Sequence, residues 1–592
     1  MPITLAAHHR GDQADLGHWR RKLRGALRPG VLWLTAPGLL YILVFLLLPC
    51  LRLLSLSLED NDTQTFSTGA YAKLLHVGLY ARVLTTTFAV AFQVTALCLL
   101  LGYPLAYWLA RQPQRRQRML ALLVLFPFWT SALVKNFTWL VLLGRNGIVA
   151  NLLDAIGLPA PDLLFSRGTV VFGMTHTMLP LAVISMLPVM NQIDRSLTPA
   201  AATLGASRAQ AFWRVFLQLS MPGVASAGLL VFIGSLGFFI TPALLGGPHD
   251  TLLGQLIIQQ IMTLQNWQLA GAIASMLIAS VLVTCLVYDR LFGLSAVAGG
   301  SAVRQRGRGA VRRFGMAIAA RAAALCDMAA RMLGPRSIDW LLPAYAWTLI
   351  LVLLLPILAT IPMAFTSAAF LSFPPPGLSL RWFANYARSE IWVDATLRSF
   401  GIGLVSGLLT LLLAAPGAYG VARGSTRLGG LVFMLFVTPM VVPSIVIAVA
   451  LFYLFAQIGL VATDLGIVIG HTVTGIPLAF VIVLAVLRGY DWHLNQAAAT
   501  LGADRVRAMW RVTLPLIKGG LSAAFIFAFL NSFEELTVAL FVGGGLKTTL
   551  PRQMWDDVTL SVTPTLAAAS VVVLLVVTGL FLLAEFLRNE QR

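Results

Sequence analysis

Apolar runs of about 20 residues recur along the whole chain, and each is long enough to cross a bilayer as a helix. Charged residues make up only 11% of the 592 residues, whereas an average soluble protein carries about 25%. The sequence therefore predicts an all-α polytopic membrane protein with about 12 transmembrane helices. The predicted spans lie near residues 31–55, 85–110, 119–143, 169–190, 225–247, 269–288, 341–366, 397–422, 430–457, 466–487, 521–543 and 565–587.

The net charge of +19 is concentrated in alternate connecting segments. Loop 111–118 carries four Arg and segment 289–340 carries nine, whereas loop 248–268 carries neither Lys nor Arg. Cytoplasmic loops of membrane proteins show such an excess of positive charge, so we expect both termini to be cytoplasmic. This distribution argues against a nucleic-acid partner. The segments expected in the cytoplasm between the termini are 111–118, 191–224, 289–340 and 488–520.

One polar stretch occurs twice between apolar runs. Residues 200–215 read AAATLGASRAQAFWRV and residues 497–512 read AAATLGADRVRAMWRV, with twelve of sixteen positions identical. The Ala run favours a helix, the Gly allows a sharp turn, and a second short helix is expected to follow. Small side chains let another protein approach closely, and the Arg residues add positive charge. The candidate contact residues are Ala200, Ala201, Gly205, Arg208, Arg214, Ala497, Ala498, Gly502, Arg505 and Arg511.

The duplication extends beyond this stretch. The residues around Pro104 match those around Pro416 at an offset of 312, whereas the two polar stretches lie 297 apart. The second half has therefore lost about fifteen residues, which we place in loop 144–168, where a length change costs little. Both halves have the same orientation, as in a parallel repeat. We predict a cytoplasmic segment 1–30, a first half 31–295, a basic linker 296–340 and a second half 341–592.

The second polar stretch resembles the "EAA" loop of bacterial ABC-importer permeases. The resemblance is carried by Gln496-Ala497-Ala498, by Gly502 and by Val512-Thr513-Leu514-Pro515; the first copy departs from it, with Pro199 in place of the leading acid. It implies the type I ABC importer permease fold, multi-pass in the lipid bilayer of a bacterial inner membrane. The implied partners are two ABC ATPase subunits, a periplasmic or extracellular solute-binding protein and a small-molecule substrate.

Ionisable residues inside predicted spans are costly to bury, so they are candidates for a substrate pathway. They are Lys135, His176, His471, Glu534 and Glu535. For the two histidines, a hydrogen bond to a neighbouring span is the favoured alternative to substrate contact. For the Lys and the two Glu, three interpretations stay open: a Glu that attracts a cation, a Lys that favours an anion or zwitterion, or a structural Lys–Glu pair.

A narrower resemblance concerns the cargo. Residues 532–537 read SFEELT and residues 127–131 read PFWTS, and both are similar to spermidine/putrescine permeases. This implies import of a polyamine-type cation, although Phe238 stands where the first polyamine permease usually has Glu. The same group also handles 2-aminoethylphosphonate and iron(III), and these are the alternatives. A proton-coupled secondary transporter is a more distant one.

No enzyme chemistry is indicated. In residues 543–549 a Leu precedes Lys547, where a phosphate-binding loop needs Gly. The four Cys are scattered and form no C-x-x-C motif, so neither a metal site nor a disulfide framework is expected. We therefore predict no cofactor, no metal and no catalytic residue, and we expect ATP hydrolysis on a separate subunit.

Overall fold

The computed structural model describes residues 31–60, 65–145, 147–157, 159, 162–292, 321, 328, 335–371, 373–424 and 426–589. The regular structure of these residues is helical, as predicted. The predicted segment 1–30 and most of the predicted linker 296–340 lie outside the described residues. The helices of the first half are α1 (Val31–Leu56), α2 (Gly69–His76), α3 (Gly78–Ala110), α4 (Gln114–Trp129), α5 (Ala132–Leu142), α6 (Ile148–Ala155), α7 (Arg167–Gln192), α8 (Leu197–Thr203), α9 (Arg208–Leu236), α10 (Ile240–Leu245), α11 (Leu253–Met262) and α12 (Trp267–Phe292).

The second half repeats this order with one exception. Its helices are α13 (Pro335–Ala364), α14 (Arg381–Arg388), α15 (Glu390–Arg423), α16 (Thr426–Val441), α17 (Ser444–Ile458), α18 (Asp464–Arg488), α19 (His493–Thr500), α20 (Arg505–Phe533), α21 (Thr537–Val542), α22 (Leu550–Leu560) and α23 (Pro564–Asn589). Helices α2 to α5 recur at an offset of 312, and α7 to α12 recur at 297. Helix α6 has no counterpart, because only residues 459–463 separate α17 from α18.

Nine helices of the described part are long and apolar enough to cross a membrane. Two further pairs meet the same test together, α4 with α5 and Leu428–Val441 of α16 with α17, which brings the number to eleven. Helix α23 adds a shorter apolar segment, Pro564–Leu580. The protein is thus a multi-pass membrane protein, and its helices are consistent with the predicted two sets of six.

The predicted third and ninth spans are each broken, and here the prediction of a single helix was wrong. The bend is 86° between α4 and α5 and 93° between Leu428–Val441 and α17. Pro127 and Pro439 lie in the last turn before each break, where a proline removes a helical hydrogen bond. After the breaks, the Ser131 side chain accepts a hydrogen bond from the Leu133 amide, and Pro443 is the residue before α17.

The fifth and eleventh spans also end earlier than predicted. Helix α9 stops at Leu236 and α20 at Phe533, and each is followed by a six-residue helix, α10 or α21. At the other end, α9 and α20 already begin at Arg208 and Arg505, inside the segments predicted as loops 191–224 and 488–520. The two Glu residues predicted in the eleventh span therefore follow its end.

The first helix of each half packs against the other half. In α1, the Tyr41 hydroxyl donates to the Ile469 carbonyl of α18 at 2.9 Å. In α13, the Tyr345 hydroxyl donates to the Leu101 carbonyl of α3 at 2.7 Å. The two halves therefore interlock, and neither completes its helix packing without the other.

Candidate functional site

Each half exposes one short helix followed by a glycine turn. We call these elements the coupling segments: residues 197–211 with α8, and residues 493–508 with α19. The turn glycines have φ of +85° at Gly205 and +82° at Gly502, a backbone conformation that residues with a Cβ rarely adopt. No residue of α8 or α19 is buried. The helix and the glycine turn predicted from the duplicated stretch are confirmed, whereas the helix that follows each turn is not short but is the start of α9 or α20.

The tips of the coupling segments are apolar. Leu204 and Leu501, one residue before each glycine, are 90% and 89% exposed. The predicted Arg208, Arg214, Arg505 and Arg511 are exposed around them, Ala200 and Ala497 are exposed, and Ala201 and Ala498 are half-buried. Sequence reasoning missed the two Leu residues; their place beside a turn glycine in a polar stretch was the available signal.

The residues just before each coupling segment contact the ends of long helices. The Arg195 guanidinium donates to the Ala110 carbonyl at 3.0 Å, at the end of α3. In the second half, the Arg423 guanidinium lies over the Trp492 ring at 4.6 Å, at the end of α15. The amide of Ser196 donates to Asp194 and lowers the pKa of that carboxyl below its usual value. Each coupling segment is therefore preceded by a contact with the end of a long helix.

The helix breaks of one half meet the helix ends of the other. A Cβ placed on Gly237, after α9, would lie 3.0 Å from Cβ of Pro443, at the break before α17. On the opposite side, the Trp129 and Phe527 rings lie 5.7 Å apart. Helix α4 has sixteen residues and is about 24 Å long, so it is too short to cross the roughly 30 Å apolar layer of a bilayer by itself. Broken helices at a repeat interface are typical of transport sites.

Lys135 lies in the first turn of α5, just after the break, and is 2% exposed. Its ammonium donates to the Pro127 carbonyl at 2.8 Å, one of the carbonyls left open at the end of α4. A positive charge is favourable at a helix C-terminus. Lys135 also interacts electrostatically with Glu534 across the interface, although their charged atoms are beyond ion-pair distance.

The two neighbouring glutamates have different surroundings. Glu535 accepts hydrogen bonds from the amides of Thr537 and Val538 at 3.0 and 2.8 Å, so it caps the start of α21. Oε1 of Glu534, in contrast, is buried without a hydrogen-bond partner among the described residues. Glu534 is thus the carboxylate that is not committed to holding the fold.

His471 connects α18 to this region. Its Nδ1 lies 2.7 Å from the Ser532 hydroxyl, and its Nε2 lies 3.3 Å from Oε2 of Glu535 without hydrogen-bond alignment. His176 has different partners, since its Nε2 lies 3.3 and 3.2 Å from the carbonyls of Val352 and Leu353 in α13. Both histidines thus contact a neighbouring span, as the packing alternative expects.

The charges lie on only one of the two equivalent interfaces. At the offset of 312, Lys135 corresponds to Ile447; at the offset of 297, Glu534 corresponds to Gly237. The interface between α17 and the end of α9 therefore carries no charge at either position. The structure brings His471 and Glu535 together at 3.3 Å, whereas Lys135 and Glu534 influence each other electrostatically without forming an ion pair.

Comparison with known protein families finds one family whose model matches this chain. Its model, "Binding-protein-dependent transport system inner membrane component", matches residues 99–296 and 400–590. The spermidine/putrescine transport system permease protein PotB of Escherichia coli K12 is 30% identical over 257 residues, which cover 42% of this chain and 93% of PotB. PotB of Haemophilus influenzae is 31% identical over the same length and is covered to 90%. A crystal structure of a bacterial alginate ABC transporter, bound to a periplasmic protein carrying an alginate pentasaccharide, is 18% identical. The match covers 45% of this chain and 94% of the transporter chain, with a TM-score of 0.38.

Proposed function

This chain belongs to the family of binding-protein-dependent transport system inner membrane components, and we propose that it forms both halves of an ATP-driven importer permease for a polyamine-type cation. The two matched ranges fall one in each half. The PotB relatives cover 42% of this chain, about the extent of one half. Two copies of the fold in one chain then do the work of two permease subunits. The family favours this mechanism over a proton-coupled secondary transporter.

We propose that each coupling segment docks on one ABC ATPase subunit. The support is that both segments are exposed, share one shape and end in an apolar tip. Two equivalent segments imply two ATPase copies. ATP binding closes the ATPase pair and draws the segments together, and the two halves rock from inward-open to outward-open. A solute-binding protein outside the inner membrane delivers the cargo, and both termini lie in the cytoplasm.

The observation that carries the cation proposal is the surroundings of Glu534. Its Oε1 is buried and unpartnered, at an interface of broken helices. An unpaired carboxylate at membrane depth costs a few kcal/mol, so a cargo that supplies a positive charge would offset that cost. Glu535 and His471 then position the end of α20 rather than bind cargo, because Glu535 already caps α21.

A second candidate cargo is a zwitterion such as 2-aminoethylphosphonate. It is favoured by one observation, the buried Lys135 beside Glu534. The ammonium of such a cargo would pair with Glu534, and its phosphonate would pair with Lys135. Iron(III), the third class that the sequence allows, has no observation that favours it.

Uptake assays with neutral variants separate these cargoes. Glu534→Gln keeps the shape of the side chain and removes its charge, and Lys135→Met does the same for the ammonium. For a polyamine, labelled putrescine uptake falls strongly in Glu534→Gln and little in Lys135→Met, after normalisation to folded protein. For the zwitterion, uptake of labelled 2-aminoethylphosphonate falls in both.

A structural role for the two charges predicts a third pattern. Each single change then lowers the amount of folded protein, and the double change restores it. Putrescine uptake that depends on neither residue would remove the cation proposal and leave the family assignment untouched.

A further inference from the structure

Four polar side chains of the first half meet in its interior. They are Asn136 and Trp139 of α5, His176 of α7 and Thr241 of α10, and none is more than 4% exposed. A Cβ placed on Gly173 would lie 2.8 Å from Cγ2 of Thr241 and 3.3 Å from Oδ1 of Asn136. The rings of Trp139 and His176 pack edge to face at 5.4 Å. Since Asn136 and Trp139 are three residues apart on α5, and Gly173 and His176 are three apart on α7, the four side chains lie within about one helical turn of one another between α5, α7 and α10.

Each of these side chains has a buried polar atom without a hydrogen-bond partner among the described residues. The atoms are Asn136 Oδ1, Trp139 Nε1, His176 Nδ1 and Thr241 Oγ1. A buried polar atom that forms no hydrogen bond is destabilising, and in native proteins such atoms are few. Four of them around one region indicate that something polar satisfies them together.

The second half provides an internal comparison. At the equivalent positions, Asn136 becomes Ala448, Trp139 becomes Leu451 and Thr241 becomes Val538. All three are fully buried, and the atoms nearest to a Cβ placed on Gly470, the counterpart of Gly173, belong to Val538 and Leu451. The same backbone arrangement is therefore compatible with apolar side chains at these positions. The polar set is a property of the first half and is not required by the fold.

The hydrogen-bonding capacity of the four atoms identifies the ligand. The Asn136 amide nitrogen donates to the Ala132 carbonyl at 2.7 Å, which leaves Oδ1 as an acceptor. His176 Nε2 faces two carbonyl oxygens and must donate, so Nδ1 of the neutral ring accepts. The Trp139 indole only donates, and the Thr241 hydroxyl does both. The region thus offers two acceptors, one donor and one hydroxyl.

We propose that this region is a buried hydration site, holding one or more ordered water molecules against Asn136, Trp139, His176 and Thr241. Water donates two hydrogen bonds and accepts two, which matches the set. A metal cation or an ammonium is disfavoured because none of the four side chains is a carboxylate and the buried Lys135 is the residue just before Asn136. An anion is disfavoured by the two acceptors. The site does not depend on which cargo the permease carries.

Radiolytic footprinting of the full chain in lipid nanodiscs tests the proposal directly. Hydroxyl radicals formed from a bound water oxidise adjacent side chains that bulk solvent does not reach. Trp382 is the matched control, since it is 8% exposed and its indole already donates to the Ala368 carbonyl at 3.1 Å. We expect Trp139, at 4% exposure, to be oxidised faster than Trp382. Oxidation of Trp139 at or below the rate of Trp382 overturns the proposal.

A pair of isosteric variants gives an independent test through the sign of a Tm shift. In a hydrated site, Thr241→Val removes a partner of the water and lowers Tm. In a dry site, the same change removes an unpaired buried hydroxyl and raises Tm. The matched change Val538→Thr is expected to lower Tm, because it places a hydroxyl at a fully buried apolar position. A higher Tm for Thr241→Val refutes the hydration site.

Discussion

Replacement of Leu501 by Gln tests the coupling proposal most directly. Leu501 is 89% exposed in the chain, so nearly its whole side chain is available for burial against a partner. Full burial of a Leu side chain stabilises a complex by about 1.5–3 kcal/mol. Since about 1.4 kcal/mol corresponds to a tenfold change in Kd, Leu501→Gln is expected to weaken ATPase binding by about tenfold to about 100-fold. The matched change Leu204→Gln is expected to have a similar effect on the other segment.

The assay measures the Kd between the full chain in nanodiscs and its ABC ATPase subunit, together with the Tm of the chain alone. Because Leu501 is not part of the packed interior, Tm is expected to stay unchanged. Leu546→Gln is the control, since Leu546 is 80% exposed and lies outside both coupling segments. An unchanged Kd in Leu501→Gln, or an equal loss in Leu546→Gln, would contradict the docking role.

Three further outcomes are expected. Gly502→Pro abolishes transport and ATPase association without loss of membrane insertion, because proline cannot adopt φ of +82°. Gly205→Pro has the same effect on the first segment. Normal transport by either variant would refute the coupling role of that segment. In a chain with its native cysteines replaced, an external thiol reagent labels His249→Cys and leaves Arg208→Cys unlabelled in intact cells, whereas external labelling at 208 would invert the topology. Glu535→Gln lowers Tm by weakening the cap of α21 and leaves the apparent KM for cargo unchanged in the folded fraction; a raised KM with normal Tm would make it a cargo residue instead.

Local patterns in the sequence were sufficient for much of the architecture. Hydropathy located most spans within a few residues of at least one end, the fifth and eleventh excepted, since the cost of placing polar backbone and charge in lipid is set residue by residue. The two offsets of 312 and 297 located the repeat and the loop where it changes. The turns at Gly205 and Gly502 were predictable because a positive φ is a local property that glycine adopts without strain.

The breaks and the roles of the buried polar residues depended on tertiary structure. Hydropathy averages over a whole span, so it passes over Pro127 and Pro439, which are tolerated in membrane helices when other groups satisfy the freed carbonyls. One such group is the Lys135 ammonium, which donates a hydrogen bond to the Pro127 carbonyl because the chain bends by 86° between the two residues. The distinction between Glu535 as a cap and Glu534 as an unpartnered carboxylate also follows from where α20 ends.

The sequence did not predict that the first helix of each half packs against the other half, nor which groups His176 contacts. His176 forms hydrogen bonds with carbonyls 176 and 177 residues away in the sequence, and the Tyr41 hydroxyl donates a hydrogen bond to a carbonyl 428 residues away. Periodicity and composition report which residues prefer lipid, water or a turn. They do not report which helix face meets which neighbour, because that is fixed by packing of the whole bundle, and only there do distant polar groups find, or fail to find, a partner.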